Sequence, residues 1–346
     1  MEFSRIGNTD IEVSRIGLGT WAIGGWMWGG TDERESIRTI RSAFDHGINL
    51  IDTAPVYGFG RSEEIVGKAL AESGLRHQTV LATKVGLDWR GAQPLRDASP
   101  RRLFKEIEAS LKRLKTDVID IYQVHWPDPA TPIEETAAAM GTLLQQGKIR
   151  AIGVSNFSPE QMRSFTQVAP IHTAQPPYNL FEREIERDVL PHCWWLGIST
   201  LVYGSICRGL LSGRMNAQTV FDGDDLRRTD PKFQQPRYGQ YLEAVERLDK
   251  FACENYGKRV IHLALRWVLD KAGVSAALWG ARRPDQLDPI GEVMGWHLSR
   301  EEREQIIRIV ESAVVEPVGP EFMAPPARPI KWEHDAPSTR RIQANG

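Results

Sequence analysis

From residue 15 to residue 312 the chain alternates short apolar runs with longer amphipathic stretches, and this alternation restricts the fold more than any other feature. Runs at 15–19, 48–52, 80–84, 118–125, 149–154, 172–175, 199–203 and 274–279 read as buried strands. Between and after them, apolar residues at helical spacing predict helices at 33–45, 62–72, 100–114, 133–146, 159–168, 184–195 and 300–312. Strand-helix alternation implies right-handed crossovers and a parallel sheet. Eight such units close into a (β/α)8 TIM barrel of the α/β class, a fold that needs about 250 residues.

The chain has 346 residues, so it carries a surplus. Segments 2–5 and 11–14 flank Gly7-Asn8-Thr9-Asp10 and predict an N-terminal β-hairpin. After the seventh strand, residues 204–239 show little periodicity and predict a long loop, of a length that is usually functional and suits a lid. Residues 317–329 are rich in Pro and Gly and are expected to lie against the barrel as a C-terminal extension. One barrel domain over 1–330, followed by a flexible tail over 331–346, accounts for the whole chain.

Composition narrows the partners. A net charge of −2 offers no general attraction to nucleic acid or to an anionic membrane. No run of about 18 apolar residues occurs and the N-terminus lacks a signal core, so a cytoplasmic protein is expected. Cys193, Cys207 and Cys253 have neither metal-ligand spacing nor an even count, and they read as packed thiols with no metal site. A small-molecule partner remains. The pattern specifies no oligomeric state.

Four proton-handling side chains follow successive strands: Asp52, Tyr57, Lys84 and His125. In a parallel barrel those strand ends open on one face, where loops build the active site. Taken singly, Asp52 reads equally well as a turn residue, Tyr57 as a loop aromatic and His125 as a core histidine. Together they make a tuned acid. An ammonium at Lys84 would lower the pKa of the Tyr57 phenol, Asp52 would hold Lys84 charged, and His125 would hydrogen-bond a substrate oxygen. Such a set suits a reaction that turns a carbonyl oxygen into an alkoxide.

Gly17-Leu18-Gly19-Thr20-Trp21-Ala22 matches the glycine pattern of dinucleotide-binding folds. The continuation Ile23-Gly24-Gly25-Trp26-Met27-Trp28-Gly29-Gly30 is not a helix and cannot offer its N-terminus to a pyrophosphate. The stretch is expected to be an open barrel loop. Trp21, Trp26, Trp28, Tyr57, Trp89, His125 and Trp126 are the expected substrate pocket, whose aromatic faces specify little.

Asp52-Thr53-Ala54-Pro55-Val56-Tyr57-Gly58, then Lys84, His125-Trp126-Pro127 and Gly153-Val154-Ser155-Asn156-Phe157 resemble the aldo-keto reductase family over nearly the whole chain. The later Leu278-Trp279-Gly280-Ala281-Arg282 and Pro317-Val318-Gly319-Pro320-Glu321-Phe322 are similar to a bacterial branch of general stress proteins and glyceraldehyde reductases. The resemblance implies that Tyr57 is the general acid, tuned by Asp52, Lys84 and His125. It implies a bound NADP(H), with Gly19, Thr20, Trp21 and Asp52 beside it. Ser155, Asn156 and Gln175 match the positions that bind the nicotinamide carboxamide, and Tyr203 matches the aromatic that stacks on the ring. Gly204, Ser205, Ile206, Cys207, Arg208, Gly209 and Leu210 match the phosphate loop, with Arg214 and Arg227 as candidate pyrophosphate clamps. Gly280, Arg282 and Gln286 match the adenosine end, and Arg282 points to NADP over NAD. Two departures stand out: Ile290 replaces the family's frequent asparagine, and Tyr203-Gly204-Ser205-Ile206 replaces its usual Tyr-Ser-Pro-Leu.

The expected activity is NADPH-dependent reduction of small aldehydes and ketones, glyceraldehyde among them. Two other readings use the same residues: a cofactor-binding regulatory subunit, as in channel beta subunits that look like this family, and a lyase forming a Schiff base at Lys84.

Overall fold

The computed structural model describes residues 1–329, and the expected flexible tail lies outside the described residues. Among the described residues twelve strands form: β1 (Phe3–Arg5), β2 (Glu12–Ser14), β3 (Ile16–Gly19), β4 (Leu50–Asp52), β5 (Val80–Val85), β6 (Leu87–Arg90), β7 (Gln93–Arg96), β8 (Ile119–Val124), β9 (Ile149–Ser155), β10 (Thr173–Gln175), β11 (Ser199–Val202) and β12 (Val274–Gly280). Eight of them, β3, β4, β5, β8, β9, β10, β11 and β12, pair in parallel and close into the expected barrel.

The helices are α1 (Glu33–Asp45), α2 (Arg61–Ser73), α3 (Pro100–Leu114), α4 (Ile133–Gln145), α5 (Pro159–Thr166), α6 (Val189–Leu196), α7 (Arg237–Tyr256), α8 (Val260–Leu269) and α9 (Arg300–Ala313). Several begin at side-chain caps that satisfy otherwise orphaned amides. Asp32 accepts from Glu35 N, Ser99 from Arg102 N just before Pro100, and Ser158 and Ser299 form reciprocal boxes with Gln161 and Glu302. The stretch expected to be helical over 184–195 breaks in two, because Asp188 caps a new helix at Val189.

The N-terminal hairpin forms as β1 against β2 and seals one end of the barrel. Its Ile6, Ile11 and Val13 pack on the inward-facing Leu50, Ala82, Ile121, Ala151, Leu201 and Leu278. The opposite end therefore stays free for chemistry. At that end the register sets Asp52 beside Gly19 and Ala82, Lys84 beside Gln123, Gln123 beside Gly153 and Gln175 beside Ser155. Residues from six strands thus meet at this end.

Three features differ from the sequence expectation. Residues 87–96 form an antiparallel hairpin, β6 on β7, whose polar, Pro-containing strands carry no alternating apolar signal. Helices α7 and α8 occupy 237–269, where no helix was expected, and both bury wide apolar faces. Cys253 is exposed while Cys193 and Cys207 are buried, so only two of the three cysteines are packed thiols.

The expected loop after the seventh strand spans from β11 to α7 and reaches the first barrel loop, where the Asp224 carboxylate accepts from the amides of Met27 (2.8 Å) and Gly29 (3.0 Å). The C-terminal extension lies against the barrel as expected: Val318 N donates to Tyr241 Oη and Arg96 Nε to Pro325 O.

Candidate active site

Lys84 ends the inner face of β5 with its ammonium fully enclosed. Its three protons go to Asp52 Oδ1 (2.6 Å), Thr53 O (3.0 Å) and Tyr57 Oη (3.3 Å). The other oxygen of Asp52 accepts from Gln175 Nε2 (2.8 Å) and Gln123 Nε2 (3.2 Å), so both oxygens of this buried carboxylate are engaged. His125 stands edge-on to Tyr57, with ring centres 5.9 Å apart. The structure thus brings together all four residues singled out from the sequence, and adds Gln123 and Thr53, whose side-chain types gave no signal.

Tyr57 is held by backbone contact. A Cβ built on Gly24 would come within 2.5 Å of the Tyr57 carbonyl carbon, and one on Gly58 within 2.1 Å of Gly24 O. The loops after β3 and β4 approach this closely only because both positions are glycine.

The electrostatics correct one expectation. Burial, and then the Asp52 charge, push the Tyr57 phenol well above its ordinary value. The expected lowering by Lys84 fails because Asp52 neutralises that ammonium at 2.6 Å, leaving desolvation in control. Burial likewise pulls Lys84 below the usual lysine range, with Asp52 opposing. His125 is held well below the usual histidine value by burial and then by Lys84. In the free site at neutral pH, Tyr57 therefore keeps its proton and His125 is neutral.

A polar chain continues across β9 and β10. Ser155 Oγ donates to Gln175 O (2.7 Å), Asn156 Nδ2 donates to His125 O (3.0 Å), and Tyr203 Oη donates to Asn156 Oδ1 (2.9 Å). Asn156 adopts a left-handed φ of 61°, a strained conformation for a side-chain-bearing residue.

A cavity of about 630 Å3 runs along this face, within the usual size of a ligand pocket. Gly19, Thr20, Trp21, Asp52, Tyr57, Gln175 and Tyr203 line one part, and Gly204, Ser205, Ile206, Arg208 and Gly209 continue the wall. Arg214, Arg227, Gly280, Arg282, Arg283 and Gln286 make a strongly basic part, joined by Arg259, His262, Asp288 and Glu292, which sequence reasoning missed. Ser155 and Asn156 adjoin the cavity through their contacts with Gln175 and Tyr203, which line it, whereas Cys207 and Leu210 are core residues.

The arginines differ in availability. Arg227 forks onto Asp225 (2.9 and 2.6 Å), and Arg208 is buried between Glu182 (2.6 Å) and Asp230 (2.5 Å). Arg214 is exposed, 3.8 Å from Asp285. Arg282 gives one proton to Trp28 O (2.6 Å), while Gln286 Oε1 accepts from its backbone amide (2.8 Å).

Among the expected pocket aromatics, Trp21 stacks on Tyr57 at 6.0 Å and meets Trp28 edge-on at 5.5 Å. Trp26 and Trp89 both pack on Phe59, and Trp126 joins the apolar cluster that includes Tyr57, Val56 and Leu87. Trp26, Trp89, His125 and Trp126 do not line this cavity; His125 meets Tyr57, Trp26 and Trp126 share its cluster, and Trp89 reaches Phe59.

The family model described as "Aldo/keto reductase family" matches residues 15–311. The chain belongs to the aldo/keto reductase family. Members are oxidoreductases that act on carbonyls with a nicotinamide cofactor. This reductase is 62% identical to aldo-keto reductase YhdN of Bacillus subtilis, over 95% of this chain and 99% of that protein. It is 39% identical to the NADH-specific methylglyoxal reductase of Escherichia coli, over 82% of this chain and 90% of that one. Among solved structures, the glycerol dehydrogenase AKR11B4 of Gluconobacter oxydans matches with a TM-score of 0.84 and 53% identity, covering 93% of this chain and 99% of that one.

The cavity suits the family's cofactor on its own geometry. Ile206 (φ −102°) is followed by Cys207, Arg208 and Gly209 at φ 46°, 54° and 90°. Backbone that turns in this way forms anion-binding concavities, and Arg214 and Arg282 line the same cavity.

Proposed function

We propose that this reductase converts small aldehydes and ketones to alcohols with NADPH, using Tyr57 as general acid. The observation that carries this is the contact of Tyr57 Oη with Lys84 Nζ at 3.3 Å on a cavity whose wall continues into a cluster of arginines. Ser155, Asn156 and Gln175 would hold the carboxamide, Tyr203 the nicotinamide ring, the 204–210 loop the pyrophosphate, and Arg282 the adenosine end. The nicotinamide, when bound, supplies a hydride to the carbonyl carbon.

The residues of the chain supply the rest. Tyr57 gives its phenolic proton to the carbonyl oxygen, and Lys84 is already placed to donate to the phenolate left behind. The raised pKa keeps Tyr57 protonated before reaction but makes it a weaker acid, so the transfer relies on Lys84 stabilising the phenolate. A neutral His125 can donate one ring proton to the same oxygen. Together these groups stabilise charge where it develops, and the aromatic neighbours keep water away.

Lys84 is poorly suited to a Schiff base, because all three ammonium protons are committed and Tyr57 blocks its approach. The relatives named for glycerol and methylglyoxal support short polar carbonyls, glyceraldehyde included. Arg282 supports NADPH, although one relative is specific for NADH. Action in the cytoplasm is part of the proposal, and no helix among the described residues is long and apolar enough to cross a membrane.

The test is NADPH or NADH oxidation with glyceraldehyde, methylglyoxal and an aromatic aldehyde. Tyr57→Phe should lower kcat by at least about 100-fold while cofactor still binds by fluorescence titration. Unchanged turnover in that variant would remove Tyr57 from its role, and no turnover by the parent would favour a purely regulatory protein.

A further inference from the structure

We propose that Arg96 is a specificity-determining residue that recruits small aldehydes bearing a carboxylate or phosphate; this rests on the reductase reading above. Arg96 ends β7, and its guanidinium lies over the Trp126 indole at 5.2 Å. Trp126 directly follows His125 and packs in the same apolar cluster as Tyr57. The cation therefore lies on an indole that packs on the same Ala54, Val56 and Leu87 cluster as Tyr57.

Three elements hold it there. Arg96 Nε donates to Pro325 O (2.7 Å) in the C-terminal extension, and Nη1 to Pro127 O (3.3 Å) in the loop after β8. Its backbone amide donates to Pro326 O (3.0 Å), and Arg96 bridges Ala327 as a strand-like pair. A guanidinium carries five N–H donors. Two are used on carbonyls, and among the described residues Nη2 has no partner.

What Arg96 lacks is a counter-ion. The buried Arg102, Arg208 and Arg266 each meet two carboxylates: Asp88 and Glu106, Glu182 and Asp230, Glu2 and Asp270. Among the described residues no carboxylate lies within 4.0 Å of Arg96, and the neighbouring acids Asp97 (3.4 Å) and Asp128 (3.3 Å) are held by Arg328. Burial opposes the charge on Arg96, with only the more distant Asp128 favouring it. A half-buried cation without an anion is unfavourable. Arg282, on the basic wall of the main cavity, is likewise without a carboxylate partner and likewise opposed by burial.

An anionic group on the substrate would complete Arg96 through the free Nη2 face, and the carbonyl clasp pre-orients that face at no further entropic loss. The carbonyl would sit at Tyr57 and His125 with the anion a few carbons away. Short semialdehydes and aldehyde phosphates have that shape; neutral aldehydes of equal length leave the cation unpaired.

Succinic semialdehyde and its neutral methyl ester separate the cases. The parent protein should show a kcat/KM for the acid at least about tenfold above that for the ester, carried by KM and shrinking between low and high salt. Arg96→Met should erase most of the preference by raising KM for the acid, and Arg96→Lys should restore part of it. Equal kcat/KM for acid and ester in the parent protein overturns the proposal. So does an Arg96→Met variant that loses both substrates equally, because that is the behaviour of a structural clasp alone. If Arg96→Met does not fold, the parent preference and its salt dependence still decide. Failure of the ester and of glyceraldehyde to turn over at all would instead overturn the reductase reading.

Discussion

Lys84 Nζ lies 2.6 Å from Asp52 Oδ1, and the two side chains are 1% and 3% exposed. A pair this enclosed depends on both members, since removing one strands the other's charge or forces a proton to move. Asp52→Asn should lower stability by about 3 to 5 kcal/mol if Lys84 stays charged, and should cut kcat for reduction about 100-fold through the Tyr57 contact. Denaturant melts and steady-state rates check both. Parent-like values for stability and rate would show that the pair matters to neither.

His125 predicts a pH effect on stability. Its folded pKa is depressed, whereas in the unfolded chain it lies near about 6.5. Below that value the unfolded state binds a proton that the native state refuses, so stability present at neutral pH declines as the medium is acidified. His172, His192 and His262 are depressed in the same direction, so replacing one histidine removes only a share. His125→Gln should flatten the fall in Tm between about pH 7 and pH 5 relative to the parent. Calorimetry across that range is the measurement, and parallel curves would contradict the assignment.

Gly24 predicts that a single methyl group can misplace the acid. Gly24→Ala puts a Cβ 2.5 Å from the Tyr57 carbonyl carbon, so the two loops must separate. The barrel core is not involved, and circular dichroism should be unchanged while kcat falls at least about tenfold. Gly291→Ala is the control: its Cβ meets nothing within 4 Å. Equal activity in the two variants would show that the Gly24 contact does not position Tyr57.

Arg282→Met tests the cofactor preference. The side chain is fixed by Trp28 O at 2.6 Å, and burial and Arg227 weaken its charge in the absence of an anion. Loss of a charge-assisted contact to a ribose phosphate should reduce kcat/KM for NADPH about tenfold or more and leave NADH nearly unaffected. A proportional loss with both cofactors would assign Arg282 a role in holding the Trp28 loop instead.

The convergence of Asp52, Tyr57, Lys84 and His125 was legible in the sequence because each follows an apolar run, and strand ends of a parallel barrel share one face. Gln123 was not, since a glutamine inside a strand announces nothing until the register sets it beside Lys84. Of the seven residues expected to form the substrate pocket, Trp21, Trp28 and Tyr57 line the cavity of about 630 Å3. Helices α7 and α8 were hidden behind an irregular segment, and the β6–β7 hairpin has no apolar period to reveal it.

The alternation of apolar and amphipathic segments by itself determined the barrel, its hairpin and the face on which chemistry occurs, because hydrophobic periodicity is a local property that every segment carries. Ionisation belonged to the tertiary structure. The sequence places a lysine near a tyrosine and predicts an acidified phenol; the fold buries both and sets Asp52 against the lysine, and the phenol rises. The reason is physical: a pKa is set by the desolvation and the charges within a few ångströms, and those neighbours come from distant parts of the chain. The same holds for Arg96. Its sequence neighbours include the acidic Asp97, yet the fold gives that carboxylate to Arg328, and among the described residues Arg96 has no carboxylate partner.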